Sequence, residues 1–293
     1  MLNYLLYYLV IIPISILPFR VLYILSDIIY IILYRIIGYR KAVVLRNIRN
    51  SFPEKTPAEH QSICNKFYHH LCDLLVESLK IFTISSEEAA KRMKLLNPEL
   101  FQKYYKEGKS IILAGGHFNN WELFAVVIAQ NIPHKALGIY QPLTNKFFDN
   151  KMRETRSRYG LRMISTKIVK KIFEEEKANL TTTIFATDQS PSNPNNCYWM
   201  KFLHQDTGVL FGAEKYAKEY NYPVVYGRIN KVKRGYYTFE FATVCDTPND
   251  TPYGFITEAA TKMLELDILA APEYWLWSHK RWKLKKPESS DKK

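Results

Sequence analysis

His117 and Glu122 are the pair whose types and spacing suit proton transfer: a histidine five residues ahead of a carboxylate, in the run Gly115-Gly116-His117-Phe118-Asn119-Asn120-Trp121-Glu122. Five residues along one continuous helix rotate a side chain by about 140°, so the two can meet only if His117 sits in a turn and the helix begins after it. Asn119 or Asn120 as N-cap would give that arrangement, and the paired glycines let the backbone turn sharply. A neutral imidazole in the turn, its ring fixed by Glu122, has the layout of a general base and its orienter. The same residues also have a purely structural reading. Asn119-x-x-Glu122 fits a capping box that closes a helix start and does no chemistry. Asp188-Gln189 forms a second polar cluster, whose plain alternative is a turn ahead of Ser190-Pro191.

The elements that must position these residues are legible as an alternation of strand and helix. SIILAGG (110–116) reads as a buried strand ending in a turn and NWELFAVVIAQ (120–130) as the helix after it. KALGIY (135–140) reads as a strand, 145–160 as a helix closed by Gly160, and 161–165 as a short strand. A helix over 168–178 and a strand over 180–189 follow, then a helix over 209–221 and strands over 222–229 and 236–244. Residues 56–82 before this series, and 251–267 after it, carry amphipathic helix patterns. Strands separated by helices imply an α/β fold, a mainly parallel sheet covered by helices on its faces. Ligand chemistry gathers at the carboxyl ends of such strands, where both polar clusters fall.

The chain has 293 residues, is 47% apolar and 14% aromatic, and carries a net charge of +13. That excludes a disordered or low-complexity chain. Ten of the thirteen net charges lie at the two ends, five within residues 1–50 and five within 280–293. A nucleic-acid-binding domain would concentrate them on its folded body, so no nucleic acid partner is expected. Cys64, Cys72, Cys197 and Cys245 form no CxxC pair and read as ordinary thiols in a reducing compartment. No metal ligand spacing or phosphate-cradling glycine loop implies a cofactor.

Residues 1–19 contain no charged side chain, and 21–38 are nearly as apolar but hold Asp27 and Arg35. A signal peptide would start with positive charge and end in small residues, and neither feature is present. Pro13, Pro18 and Asp27 favour a kinked or interfacial membrane element over 1–40 with its second segment packed on the body. The cations from Arg35 to Arg49 would then meet anionic headgroups on the cytoplasmic side. The expected organisation is a membrane element (1–40), an α/β domain (41–285) and a charged tail (286–293). In the closing stretch PEYWLWSHKRWK (272–283), Trp275, Trp277 and Trp282 alternate with cations, a composition suited to the lipid interface.

Five stretches in order carry a family resemblance: GYRKAVVLRNIRNSFPEK (38–55), GGHFNNWE (115–122), DQ (188–189), FGAEKYAKEYNYPVV (211–225) and PEYWLWSHKRWK (272–283). Together they resemble the late lipid A acyltransferase branch, the lauroyl and myristoyl transferases, of the lysophospholipid acyltransferase superfamily. The resemblance runs from about residue 1 to 285. Phe52-Pro53-Glu54 looks like the FPEG block of glycerolipid acyltransferases, but it precedes His117 and continues with Lys55, which argues against simple lysophosphatidate acylation.

The resemblance implies a glycerolipid acyltransferase-like fold and transfer of a fatty acyl group from an acyl carrier protein thioester to a hydroxyl of a lipid A precursor. It implies the cytoplasmic face of the inner membrane as the site, and membrane lipids, acyl carrier protein and lipid A precursor as partners. His117 would take the acceptor proton and Glu122 would orient it, with no acyl-enzyme because neither Cys nor Ser stands in the motif. It places an arginine near the site; Arg156 matches best, with Arg153 beside it, and a guanidinium suits a phosphate. Asp188 and Gln189 match the family's DQ pair, and Asn119 and Asn120 are candidate donors to the thioester oxyanion. Three other readings stay open: the same chemistry on an aminolipid or lysophospholipid, a hydrolase, and a catalytically silent lipid-binding scaffold.

Overall fold

A computed structural model describes residues 1–287; the expected charged tail lies outside the described residues from Glu288 onward. Its centre is a seven-stranded sheet of β1 (Met93–Leu95), β2 (Ile111–Gly115), β3 (Lys135–Tyr140), β4 (Arg162–Ser165), β5 (Thr181–Ala186), β8 (Val224–Lys233) and β9 (Tyr236–Cys245), in the order β1-β9-β8-β2-β5-β3-β4. Five strands from β8 to β4 run parallel, whereas β9 pairs antiparallel with β8 and carries β1 parallel at the edge. The α/β architecture is as expected, and the sheet is mixed at one end.

Alternation in β2 shows why the sheet is covered on both sides. Ile111 and Leu113 enter one buried cluster with Phe101, Phe124, Phe239 and Phe241; Ile112 and Ala114 enter another with Ile172, Phe173, Ala217 and Ile256. A third cluster joins Tyr30, Tyr34, Ile48, Phe67 and Tyr68 of the N-terminal helices to Phe118, Tyr226, Trp275 and Trp277.

The Pro57–Lys80 helix opens with a true capping box, in which the Thr56 hydroxyl accepts from the Glu59 amide and the Glu59 carboxylate accepts from the Thr56 amide. The helix expected over 209–221 spans only Gly212–Tyr220, because residues 205–209 form β7 (Gln205–Val209), antiparallel to β6 (Tyr198–Phe202). That hairpin, the Lys41–Ser51 helix and the helix–strand–helix run over residues 86–106 had no clear signature in the sequence.

The N-terminus forms two helices, Leu2–Ile16 and Phe19–Ile37, bent by 118° at the break. No single helix among the described residues is long and apolar enough to cross a membrane. The bend falls at Pro18, whose missing N–H cannot continue the first helix; Pro13 is absorbed directly after a π-helical stretch at Tyr7–Ile11. Carbonyls freed at the break are taken up by the body: Thr83 Oγ1 donates to Ser15 O (2.6 Å), and Lys80 Nζ donates to Ile16 O (3.2 Å) and Leu17 O (2.9 Å). The second helix is packed on the body, as expected. Ser26 Oγ donates to Asp73 (2.8 Å), and Arg234 bridges Asp27 and Asp73 at 2.5 and 2.7 Å.

Trp275 and Trp277 are corrections. Both are buried at 2% and 0% exposure and face the third cluster, while only Trp282 is partly exposed. The segment behaves as a strap: Asn47 Nδ2 donates to Trp277 O (2.9 Å) and His279 O (3.0 Å), and Phe118 bridges Trp275 in antiparallel fashion. Two large rings inside the body bury apolar area that an interfacial position would leave half-solvated.

Candidate active site

Register builds the site. Gly115 at the end of β2 lies opposite Ala186 at the end of β5, and Thr187 N–H donates to Gly115 O at 2.9 Å. Two residues beyond that matched pair, the chain presents His117 from one strand and Asp188 from its neighbour. The His117 amide donates to Asp188 Oδ2 (2.8 Å), and His117 Nδ1 lies 2.6 Å from Asp188 Oδ1. The indole N–H of Trp275 donates to Asp188 Oδ2 at 2.9 Å, which completes the carboxylate's shell. Gly116 permits the approach, because a Cβ there would stand 2.7 Å from Leu264 Cδ2 and 3.2 Å from Asp188 Cγ.

Electrostatics set the protonation states. Burial by itself would raise the Asp188 carboxyl, but the imidazole and the N–H donors hold it down to about 2. Burial works against a charged His117, yet Asp188 outweighs it and raises the imidazole above its usual value. An ionised Asp188 at Nδ1 fixes the tautomer with the proton on that nitrogen and leaves Nε2 as the acceptor. Nε2 meets Gln189 Nε2 at 3.3 Å, and the His117 side chain is 18% exposed while Asp188 is 3% exposed.

Glu122 is not on the imidazole, which corrects the expected orienter. The helix starts one residue later than the capping-box pattern requires: Asn120 is the N-cap, its Oδ1 accepting from Leu123 N–H at 2.8 Å. Trp121 at the first helical position sets its ring edge-on to His117, centroids 5.1 Å apart. Glu122, about 100° further round the helix, reaches Arg156 Nη2 at 2.6 Å instead. Arg156 also approaches Met163 Sδ at 3.9 Å and keeps a buried Nε with no hydrogen-bond partner. The helix carrying it, Lys146–Arg158, leaves Arg153 exposed and without an ion pair among the described residues. Arg158 is engaged in packing, donating to Phe82 O and the Tyr159 hydroxyl.

Asn119 and Asn120 are also corrected as oxyanion donors, because their amides are engaged inside the fold. Asn119, with φ +55°, gives its amide N–H to Tyr274 O (2.9 Å) and its Nδ2 to Ile229 O (2.7 Å). Asn120 Nδ2 donates to Glu77 at 2.5 Å. That buried carboxylate also accepts from the Tyr23 and Tyr237 hydroxyls, each at 2.9 Å, so it ties the second N-terminal helix to the turn that carries His117. Glu77, Trp275 and His279 (whose Nε2 accepts from Ser190 N–H at 3.0 Å) are site neighbours that the sequence did not reveal. They lie 40 to 162 positions from His117, beyond any local spacing.

A cavity of about 460 Å³ lined by Asp27, His69, Asp73, Lys231–Arg234 and Tyr274 lies apart from His117, and its two acids are already paired with Arg234. Among the described residues no group of three or more His, Cys, Asp or Glu could hold a metal ion.

A sequence model of the family described as "Bacterial lipid A biosynthesis acyltransferase" matches residues 1–284. The chain is similar to the "Lipid A biosynthesis lauroyltransferase" of Escherichia coli (strain K12), 24% identical over 271 residues, which cover 91% of this chain and 87% of that protein.

Proposed function

Because this chain belongs to the bacterial lipid A biosynthesis acyltransferase family, we propose that His117 is its general base, held by Asp188, in direct acyl transfer from an acyl carrier protein thioester to a lipid A precursor hydroxyl. The observation that carries the reading is the His117–Asp188 pair at the ends of two adjacent parallel strands, which engages Nδ1 with the carboxylate and leaves Nε2 to Gln189 alone among the described residues. Nε2 takes the proton as the acceptor oxygen attacks the thioester carbonyl. Collapse of the tetrahedral intermediate forms the C–O ester bond and breaks the C–S bond, and the imidazolium returns its proton to the departing thiolate. Asp188 stabilises the imidazolium meanwhile, the role a buried carboxylate fills behind a histidine base.

The cysteines support transfer without an acyl-enzyme. Burial pushes Cys64 up to about 11 and Cys72 up to about 12, and raises Cys197 and Cys245, so none is an activated thiolate. Arg156, held by Glu122, is the cation beside the base. Its planar fork suits a phosphate of the lipid acceptor or of the carrier's prosthetic group. Arg153 and Gln189 line the approach in this reading, and no metal or organic cofactor takes part. The exposed apolar residues of the two N-terminal helices, among them Leu2, Leu9, Ile16 and Ile24, favour seating at a membrane interface, which in this reading is the cytoplasmic face of the inner membrane.

The test combines purified protein in detergent, an acyl carrier protein thioester and a tetra-acyl lipid A precursor, with products read by mass spectrometry. The expected result is a gain of one acyl mass, reduced about 10²–10⁴-fold in His117→Ala, the range general-base catalysis contributes. Thioester consumption only with a lysophospholipid or aminolipid would keep the mechanism and overturn the acceptor. Loss of the acyl group to water would make the protein a hydrolase.

A further inference from the structure

The two basic ends of the chain become one surface in the fold. Arg40, Arg46 and Arg49 come from the first fifty residues and Lys280, Lys283 and Lys285 from the last fourteen, yet the strap is fastened to the Lys41–Ser51 helix. Asn47 Nδ2 holds the carbonyls of Trp277 and His279, and Arg40 Nη1 donates to Ser278 O at 3.0 Å. Val44, Asn47, Ile48 and Ser51 form the buried side of that helix, which leaves Arg46 and Arg49 on its outer side. All six cations are exposed, and among the described residues none makes an ion pair. Arg40 helps to fasten the strap, but among the described residues the other five cations have neither an acid nor a side-chain hydrogen bond, so their charge is spent on no internal pairing.

This face continues directly into exposed apolar surface. Ile36 and Ile37, 73% and 63% exposed, end the second N-terminal helix, and left-handed Gly38 leads straight to Tyr39 and Arg40. Aliphatic surface bordered by an aromatic ring and then by free cations matches the order of a lipid leaflet: acyl region, interface, headgroup phosphates. An acidic protein partner would account for the cations and leave the aliphatic border unexplained.

We propose that the composite face formed by the Lys41–Ser51 helix and the C-terminal strap seats on anionic lipid headgroups and orients the body on the membrane. The proposal rests on the membrane-associated reading above and adds the surface, the residues and the lipid chemistry. The same strap gives Trp275 to Asp188 and His279 to Ser190, so the seat and the catalytic pair share one segment of chain.

The test is co-sedimentation of the full-length protein with vesicles of phosphatidylcholine alone and of equimolar phosphatidylcholine and phosphatidylglycerol, across a salt series. The variant is Arg46→Gln/Arg49→Gln/Lys280→Gln/Lys283→Gln, whose four sites lie outside the catalytic machinery. Wild-type protein should prefer the anionic vesicles, and salt should erode the preference. At about fivefold per cation, the variant should lose on the order of 10²-fold or more of that preference while keeping wild-type thermal stability and acyl transfer in detergent. An unchanged anionic preference in the variant would overturn the proposal. So would normal vesicle binding with a raised KM for the acyl carrier protein thioester, which would give the face to an acidic protein. Failure of the acyltransferase reading is separable, because wild-type protein would then show anionic preference without acyl transfer.

Discussion

At the residue scale, the site is an imidazole gripped by one carboxylate, with Asp188 holding both the His117 ring at Nδ1 and the His117 backbone amide. HxxxxE placed a carboxylate within reach of His117 along the chain, and the positions of both residues in a turn and a helix start are as expected. What linear spacing does not encode is which strand lies beside β2. Asp188 reaches His117 only because β5 inserts between β2 and β3, a long-range pairing that places two residues 71 positions apart side by side. The raised imidazole has a direct kinetic consequence. A base works only when deprotonated, so kcat/KM should rise with pH through a value above the ordinary histidine range near 6.5. A profile with its acid limb at or below that value would contradict the electrostatic account. Gly116→Ala should cut activity severely, since the new methyl collides with Leu264 and presses on Asp188. Leu264→Ala in the same chain should restore part of the loss, as measured by initial rates.

Elements hold that geometry through polar contacts that cross between them. Asn120 caps the Trp121–Val127 helix with one end of its amide and reaches Glu77 with the other, while Tyr23 brings the second N-terminal helix to the same carboxylate. Glu77→Leu should therefore leave Asn120, Tyr23 and Tyr237 without their shared acceptor. Buried donors left unpaired cost about 1–3 kcal/mol each, so chemical denaturation should show a loss of several kcal/mol. A loss below about 1 kcal/mol would mean that water or rotamer changes satisfy the three donors. The helices and strands of the alternating region were legible because each kept one period over enough residues. The β6–β7 hairpin was not: its arms are five residues each, Lys201, Gln205 and Asp206 break the apolar alternation, and the turn at Leu203-His204 lacks glycine. Trp275 and Trp277 were legible as a motif but misplaced, because composition does not say which side of a strap faces the core. Trp277 is fully buried and its indole donates to Pro272 O at 2.6 Å, so Trp277→Ala should cost about 3–5 kcal/mol in an equilibrium unfolding measurement.

Across the whole molecule, the two N-terminal helices differ in how far they belong to the body. Leu22, Tyr30 and Tyr34 of the second are buried, and Ser26 and Asp27 engage Asp73 and Arg234. The first exposes most of its length and buries only Tyr7 and Ser15. Deleting residues 1–17 should leave a folded body with near-native circular dichroism and reduced affinity for lipid vesicles. Deleting residues 1–37 should instead yield aggregated protein, because it uncovers a hydrophobic cluster and strips partners from two buried carboxylates. A soluble, cooperatively unfolding 38–293 fragment would contradict that division. The apolar start and the charge at both ends were plain in the sequence; their convergence on one side depended on Asn47 and the strap, which no pattern announced.

Single-turnover acyl transfer by Asp188→Asn, set beside Glu122→Gln, separates the roles of the two carboxylates. Asparagine at 188 removes the charge that fixes the Nδ1–H tautomer and stabilises the imidazolium. The chemical step should fall on the order of 10²–10⁴-fold, with its acid limb moved to lower pH. Glutamine at 122 loosens Arg156 and should act mainly by raising KM. An Asp188→Asn enzyme with a near wild-type chemical step, or a Glu122→Gln enzyme crippled in that step with a shifted acid limb, would return the orienting role to Glu122 and contradict the account.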